Sequence, residues 1–291
     1  MMQRRRALTL ATLLLTVPLL EQPALASFHF MQIEQVIGGV NGDTSAQAIQ
    51  LRMRSFGQNL VGAARIRAWD AAGANPVLIV NFTTSVPNGA AGRRILVTSA
   101  NFNALTNPTA SPDFAMTNLI PASYLAAGSL TFESNAGIIY WRLSWGGMGY
   151  TGSTTLNITN DVDGDAAPPY PNPLPTADQR ALLFQGPFNA KSTTNAADYA
   201  LTTGAAVFTN NATASFTVQV PVACSTCAGD VDGDNLADGD VAASFVNCFI
   251  GGDPNASGCG CADMDGSGAF EPSDVNDFVS KLLNDPVTAC P

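Results

Sequence analysis

Two copies of one loop-helix pattern, thirty-three residues apart, constrain this chain more than any other feature of it. In the second copy, counted from Asp263, oxygen-bearing side chains stand at positions 1, 3, 5, 9 and 12: Asp263, Asp265, Ser267, Glu271 and Asp274. Gly268 at position 6 permits a sharp turn, and Ala269 at position 7 offers its backbone carbonyl. Val275, Phe278, Val279, Leu282 and Leu283 then recur at helical spacing, which predicts a helix immediately after the loop. Shifting back by 33 residues places Asp230, Asp232 and Asp238 on Asp263, Asp265 and Glu271. The same shift places Phe245, Val246, Phe249 and Ile250 on the apolar positions of the helix. A match through loop and helix without a gap is an internal repeat, not shared composition.

Closely spaced short carboxylates and a hydroxyl suit a hard cation that takes six to eight oxygens, and the spacing is that of a calcium loop of EF-hand type. The first copy offers Asp230, Asp232, Asp234 and Asp238, with the backbone carbonyl of Leu236 at position 7. Its twelfth position is Val241, which carries no side-chain oxygen; Asp240, one residue early, is the nearest carboxylate that could replace it. Asn235 stands where the second loop has glycine, a substitution that asparagine's tolerance of left-handed geometry allows. A solvated Asx-rich turn is the alternative for either loop.

The tandem "GDVDGDNLADGDVAASFVNCFI" and "ADMDGSGAFEPSDVNDFVSKLL" resembles a type I dockerin, a small module of two calcium loop-helix segments that attaches secreted proteins to cohesin partners. The resemblance covers roughly Cys224 to Pro291. It implies calcium ligands at Asp263, Asp265, Ser267, Glu271 (through water) and Asp274, with Asp230, Asp232, Asp234 and Asp238 in the first loop. It also implies that positions 10 and 11 choose the partner, a cohesin-like protein or a cell-surface component. Those residues are Gly239 and Asp240 in one copy and Pro272 and Ser273 in the other, and neither pair is the Ser-Thr type of cellulosomal dockerins.

All six cysteines lie in the same segment: Cys224, Cys227, Cys248, Cys259, Cys261 and Cys290. An even number in a small exported domain predicts disulfides, with fifteen connectivities open. A zinc site built from Cys224, Cys227, Cys259 and Cys261 is the rival. Residues 224–291 carry a net charge of −11, so cation binding there would offset self-repulsion. The preceding residues 27–223 are close to neutral at −1, and a basic patch for nucleic acid is absent.

The chain opens with Arg4-Arg5-Arg6, an apolar run from Ala7 to Leu20 and Ala24-Leu25-Ala26, which reads as a secretory signal peptide of residues 1–26. No later stretch is long and apolar enough for a membrane span, so the expected location is secreted or at the cell surface.

Residues 27–220 read as β. Candidate strands are Phe28–Val36, Ala48–Met53, Ala64–Trp69, Val77–Phe82, Arg94–Thr98, Ser129–Glu133, Ile138–Trp145 and Ala214–Val220, with a short helical turn at Ala177–Leu183. Their alternation predicts an antiparallel sandwich with one wet face per sheet. The opening "HFMQIEQVIGGVNGDTSAQAIQLRMRS" is similar to lamin-tail-like domains, with Glu34 and Ala48-Ile49-Gln50-Leu51 in the family's places, which implies an immunoglobulin-like sandwich. Asp161, Asp163 and Asp165 begin like a further calcium loop, but Asn172 at the twelfth place stands among prolines that forbid an exiting helix, so this is read as a surface loop. Residues 221–223 would be the linker.

An active site is less legible. His29 is the only histidine, and no nucleophile elbow accompanies it. Glu34 and Glu133, or one of them with Asp70 or Asp113, would have to supply a carboxylate pair for glycoside hydrolysis; solvent-facing strand positions are the plainer reading. Trp69, Tyr140, Trp141 and Trp145 could stack on a sugar, although Trp141 and Trp145 share the pattern of a core face. The sequence therefore points to a mainly β protein: an antiparallel immunoglobulin-like sandwich followed by a small helical, EF-hand-like calcium module for docking. A dockerin-bearing polysaccharide-degrading or carbohydrate-binding protein is the alternative.

Overall fold

The computed structural model describes residues 28–155, 166–190, 193–219, 224, 228–231, 236–251, 259–267, 270–284 and 288–289. The signal segment 1–26, the linker 221–223 and the acidic loop at 161–165 lie outside them. The chain is mainly β. In order it runs β1 (Met31–Ile37), β2 (Ala48–Met53), β3 (Ala64–Trp69), β4 (Val77–Asn81), β5 (Arg94–Thr98), α1 (Ala100–Ala104), β6 (Thr106–Asn107) and β7 (Phe114–Ala115). Then come β8 (Gly128–Ser134), β9 (Ile139–Trp145), β10 (Leu182–Phe184), α2 (Asn195–Asp198), β11 (Tyr199–Leu201), β12 (Val207–Thr209) and β13 (Ser215–Val218).

Two sheets face each other, one ordered β11-β10-β1-β2-β5-β7 and the other β4-β3-β8-β9. Neighbours pair antiparallel except β5 and β7, which run parallel. Strand β3 shows the logic of the packing. Ala64, Ile66 and Ala68 enter the core while Arg65, Arg67 and Trp69 turn outward, as period-two alternation requires. Ile33, Leu51, Val97, Leu130, Phe132, Trp141 and Trp145 from both sheets close one buried cluster. Strands β2, β3 and β5 start and stop where the alternation predicts, and Asn41-Gly42 forms the expected turn with both φ angles positive, 48° and 90°. At Ala177–Leu183 the expectation of a helical turn is wrong: Leu182–Phe184 is a strand that pairs with β1 and sends Leu182 and Phe184 into the core.

The expectation of one wet face per sheet also fails. A third small sheet, β12-β13-β6, lies over the outer side of the first, and Phe208, Phe216 and Val218 join Phe102 of α1 in covering Ile37, Ala48 and Leu96. Strand β1 is consequently buried along its whole length. On the outer side of the second sheet, Ser129, Thr131, Arg142 and Ser144 are buried but polar. They are bonded laterally: Asn195 accepts from the Ser144 amide at 2.8 Å, and the Tyr150 hydroxyl meets Ser129 at 3.0 Å. Alternation marks where polar side chains point, and solvent is only one of the places that accepts them.

The C-terminal segment has its own core. Helices α3 (Ala242–Gly251) and α4 (Pro272–Asn284) meet through Phe245 and Phe278, whose rings stack 4.0 Å apart and 4° from parallel. These are equivalent residues of the two repeats, so the halves join through the same position. Disulfides Cys224–Cys261 and Cys248–Cys259 staple this cluster. Both bonds remove their cysteines from the zinc alternative; Cys227 and Cys290 lie outside the described residues. The apolar helix faces are narrower than their spacing suggests. Phe245 and Phe278 are buried, whereas Val246, Ile250, Val279 and Leu283 are 50, 78, 46 and 77 % exposed.

Candidate metal centre

The second acidic loop folds back on itself so that its first, third and last carboxylates converge. Single oxygens of Asp263, Asp265 and Asp274 lie within 4.8 Å of one another. Ca–O distances are about 2.3–2.6 Å, so two oxygens on opposite sides of one ion stand roughly 5 Å apart, and the spread fits a shared cation. The donors are hard carboxylate oxygens, the class calcium takes. Asp274 is fully buried and Asp263 is 8 % exposed, while Asp265 opens to solvent.

Local hydrogen bonds set this geometry. Pro272 occupies the first helical position, where its missing N–H costs nothing. Two residues on, Asp274 Oδ2 reaches back to accept from the Glu271 amide at 2.7 Å, the reciprocal half of a capping box. Its other oxygen accepts from the Met264 amide at 2.8 Å, tying the end of the loop to its beginning. The Ser267 amide donates to Asp263 at 3.1 Å and to Asp265 at 2.9 Å. The Ser267 N–H and hydroxyl hold the Asp265 carboxyl below its usual range.

The other proposed ligands are placed less tightly. Glu271 is exposed and stands outside the converging trio. Ala269, Asp232 and Asp234 lie outside the described residues. In the first loop Val241 is a core residue with no exposure, and Asp240 does not turn inward to replace it. Asp240 is exposed, and its amide donates to Asp238 at 2.9 Å. Asp230 is buried. Leu236 belongs to a two-residue strand, β14 (Leu236–Ala237), paired with β15 (Thr288–Ala289) near the C-terminus. Among the described residues the converging carboxylates all come from the second loop. Of the partner-contact positions, Gly239, Asp240 and Pro272 are exposed, and Ser273 instead bonds to Asp265.

The carboxylates considered for hydrolysis are not gathered. Glu34 points outward from the first sheet and Glu133 outward from the second, so the sandwich core separates them. Nor are they solvent-facing, as the plainer reading had them: Glu34 is 2 % exposed and Glu133 wholly buried. Glu34 accepts from Gln50 at 2.8 Å and from Arg94 at 2.7 and 3.0 Å, and pairs with Arg52 at 2.8 Å. Glu133 pairs with Arg65 and Arg67 at 2.5 and 2.6 Å. Asp70 holds a turn by accepting from the amides of Ala72 and Ala74. Asp113 accepts from the amides of Leu96 and Asn211, and burial raises its pKa.

His29 packs edge-on to Phe30, 4.4 Å between centroids, and its pKa is lowered by burial and by the Arg54 charge. Trp141 and Trp145 are core residues, and Trp69 lies under the Arg67 guanidinium at 4.4 Å, so the four aromatic residues do not form one platform. Among the described residues no helix is long and apolar enough to cross a membrane. No protein-family model matches the chain, and no curated protein does.

Proposed function

We propose that residues 224–291 form a calcium-ordered docking module of dockerin type, carried by an exported β-sandwich of immunoglobulin-like architecture. The observation that carries this reading is the convergence of Asp263, Asp265 and Asp274 from the two ends of one loop. Calcium bound there would neutralise part of the segment's −11 charge and fix the start of α4 against α3. The asymmetry of the repeat favours the second loop as the stronger site, because Val241 fills the first loop's closing position with a core side chain.

Docking is supported by the apolar residues that the two helices leave outside. Val246 and Ile250 on α3 are the repeat equivalents of Val279 and Leu283 on α4, and all four are exposed. They are apolar surface that a docking partner would cover. The disulfides and the signal-like leader support export, since such bonds persist in oxidising compartments.

Calcium titration of the intact oxidised protein, followed by calorimetry and thermal unfolding, tests the metal site. Saturable heat and a calcium-dependent rise in the unfolding temperature are expected, and both should disappear in Asp263→Ala. An unchanged calorimetric response in that variant would remove the site from the second loop. For docking, a purified cohesin domain is the probe. Calcium-dependent binding is expected, and Val246→Asp with Val279→Asp should weaken it by at least about tenfold, or ~1.4 kcal/mol. Absence of binding with and without calcium would sink the docking reading while leaving the metal site standing, and equal binding in both would sink the calcium-ordering of the dock.

A further inference from the structure

Among the described residues, three of the eight buried side chains that form the core of the C-terminal segment are half-cystines: Cys248, Cys259 and Cys261. Both disulfides end on one short 3₁₀ turn, Cys259–Ala262. The residue that follows this turn is Asp263, the first carboxylate of the metal cluster. Cys259, Cys261 and Ala262 are all buried, so the turn is fixed by packing as well as by its two bonds. Its backbone is held too, since the Cys261 carbonyl accepts from the Gly229 amide at 2.7 Å.

The last carboxylate of the cluster is carried by a different element. Asp274 stands in the first turn of α4, and one turn later Phe278 stacks on Phe245 of α3. One turn beyond Phe245, Cys248 bonds to Cys259 and so returns to the turn that carries Asp263. The path is a closed ring: from Asp263 around the loop to Asp274, along α4 to Phe278, across to Phe245, and through Cys248–Cys259 back to Asp263. Carboxylates whose oxygens lie within 4.8 Å of one another repel, so their carriers must be held together before a cation arrives. Breaking Cys248–Cys259 opens the ring and leaves that task to the loop's own hydrogen bonds. Cys224–Cys261 lies outside the ring and anchors the start of the segment to the same turn.

Resting on the calcium reading above, we propose that the Cys248–Cys259 disulfide is a redox control on calcium binding. The bonded form holds Asp263 and Asp274 at the spacing of one shared cation; the dithiol form populates that arrangement only in part and binds calcium more weakly in proportion. The reductant is an external dithiol. The S–S bond breaks, Cys248 and Cys259 each take up one electron and one proton, and the reductant closes to its own disulfide. By linkage, calcium favours the disulfide by the same factor by which the disulfide favours calcium. Such bonds persist in oxidising compartments, so the segment reaches its full calcium affinity there.

The test is calorimetry of calcium chloride into the intact oxidised protein and two paired variants. Cys248→Ser with Cys259→Ser should weaken calcium binding at least about tenfold, and Cys224→Ser with Cys261→Ser should weaken it less. Chain entropy alone predicts the opposite order, because Cys224 and Cys261 are 37 residues apart in sequence and Cys248 and Cys259 only 11. A second measurement needs no variant. The wild-type protein is equilibrated against a dithiothreitol redox buffer, with thiol alkylation at Cys248 and Cys259 read by mass spectrometry. Saturating calcium should move that equilibrium toward the disulfide at least about tenfold, or ~30 mV. The proposal is overturned if the Cys248–Cys259 variant keeps wild-type affinity, if the Cys224–Cys261 variant loses as much or more, or if calcium leaves the redox equilibrium unmoved. Should a variant not fold, the redox equilibrium decides alone. Absence of calcium heat from the oxidised wild type would instead remove the metal site on which the proposal rests.

Discussion

Asp274→Ala is expected to reduce calcium affinity by at least about 100-fold, since even outer-shell partners of metal ligands are worth about 10–100-fold. The expectation rests on the two tasks that meet in this one side chain. Asp274 closes the carboxylate cluster with Asp263 and Asp265, and it accepts from the amides of Met264 and Glu271. The second task does not need calcium. Removing it leaves the first turn of α4 without its reciprocal cap, a loss of about 0.5–2 kcal/mol in the calcium-free protein. Asp274→Asn separates the two tasks in part, because its one amide oxygen can still accept from the Glu271 N–H while the charge and the acceptor for the Met264 N–H are gone. Calorimetry should find weak calcium binding in both variants, and hydrogen exchange at the first turn of α4 without calcium should be faster in Asp274→Ala than in Asp274→Asn. Wild-type calcium affinity in Asp274→Asn would remove this carboxylate from the site.

Glu34→Ala is expected to cost the sandwich about 3–5 kcal/mol, because it leaves guanidinium charge and a buried amide facing an empty position. Glu34 gathers Arg52, Arg94 and Gln50, and Arg52 is only 13 % exposed along its side chain. Arg94, at 35 %, recovers some hydration, which places the expected loss toward the lower end. For a domain of this size the unfolding temperature should fall by roughly 6–20 °C. Calcium should not restore it, since the charge belongs to the sandwich. A loss under about 1 kcal/mol would mean that both arginines simply rehydrate, and the pairing would then be an ordinary surface one.

The strands and helices were legible because short-range spacing specifies them. Ala64, Ile66 and Ala68 alternate with Arg65, Arg67 and Trp69, and any two-sided strand must separate those sets. The convergence of Asp263, Asp265 and Asp274 was legible for a similar reason: their spacing in the second loop is local. Strands β10, β11 and β12 were not, since three residues contain no measurable period and form only because longer strands offer them an edge.

Burial was misjudged wherever it depended on what lay above a face. Glu34 and Glu133 were read as solvent-facing because carboxylates on alternating strands normally are, yet arginines on neighbouring strands, 18 to 68 positions away along the chain, surround them. The exposure of Val246, Ile250, Val279 and Leu283 was not legible, because helical spacing counts apolar positions but not the area a partner helix can cover. By itself the sequence determined the local geometry of this protein: a β-rich chain, a repeated acidic loop, the residues able to ligate and the helices that follow. Only the tertiary structure decided that the second loop gathers its carboxylates, that Cys224 joins Cys261 and Cys248 joins Cys259, and which faces meet water. Those outcomes depend on contacts between residues far apart in the chain, and local spacing carries no record of them.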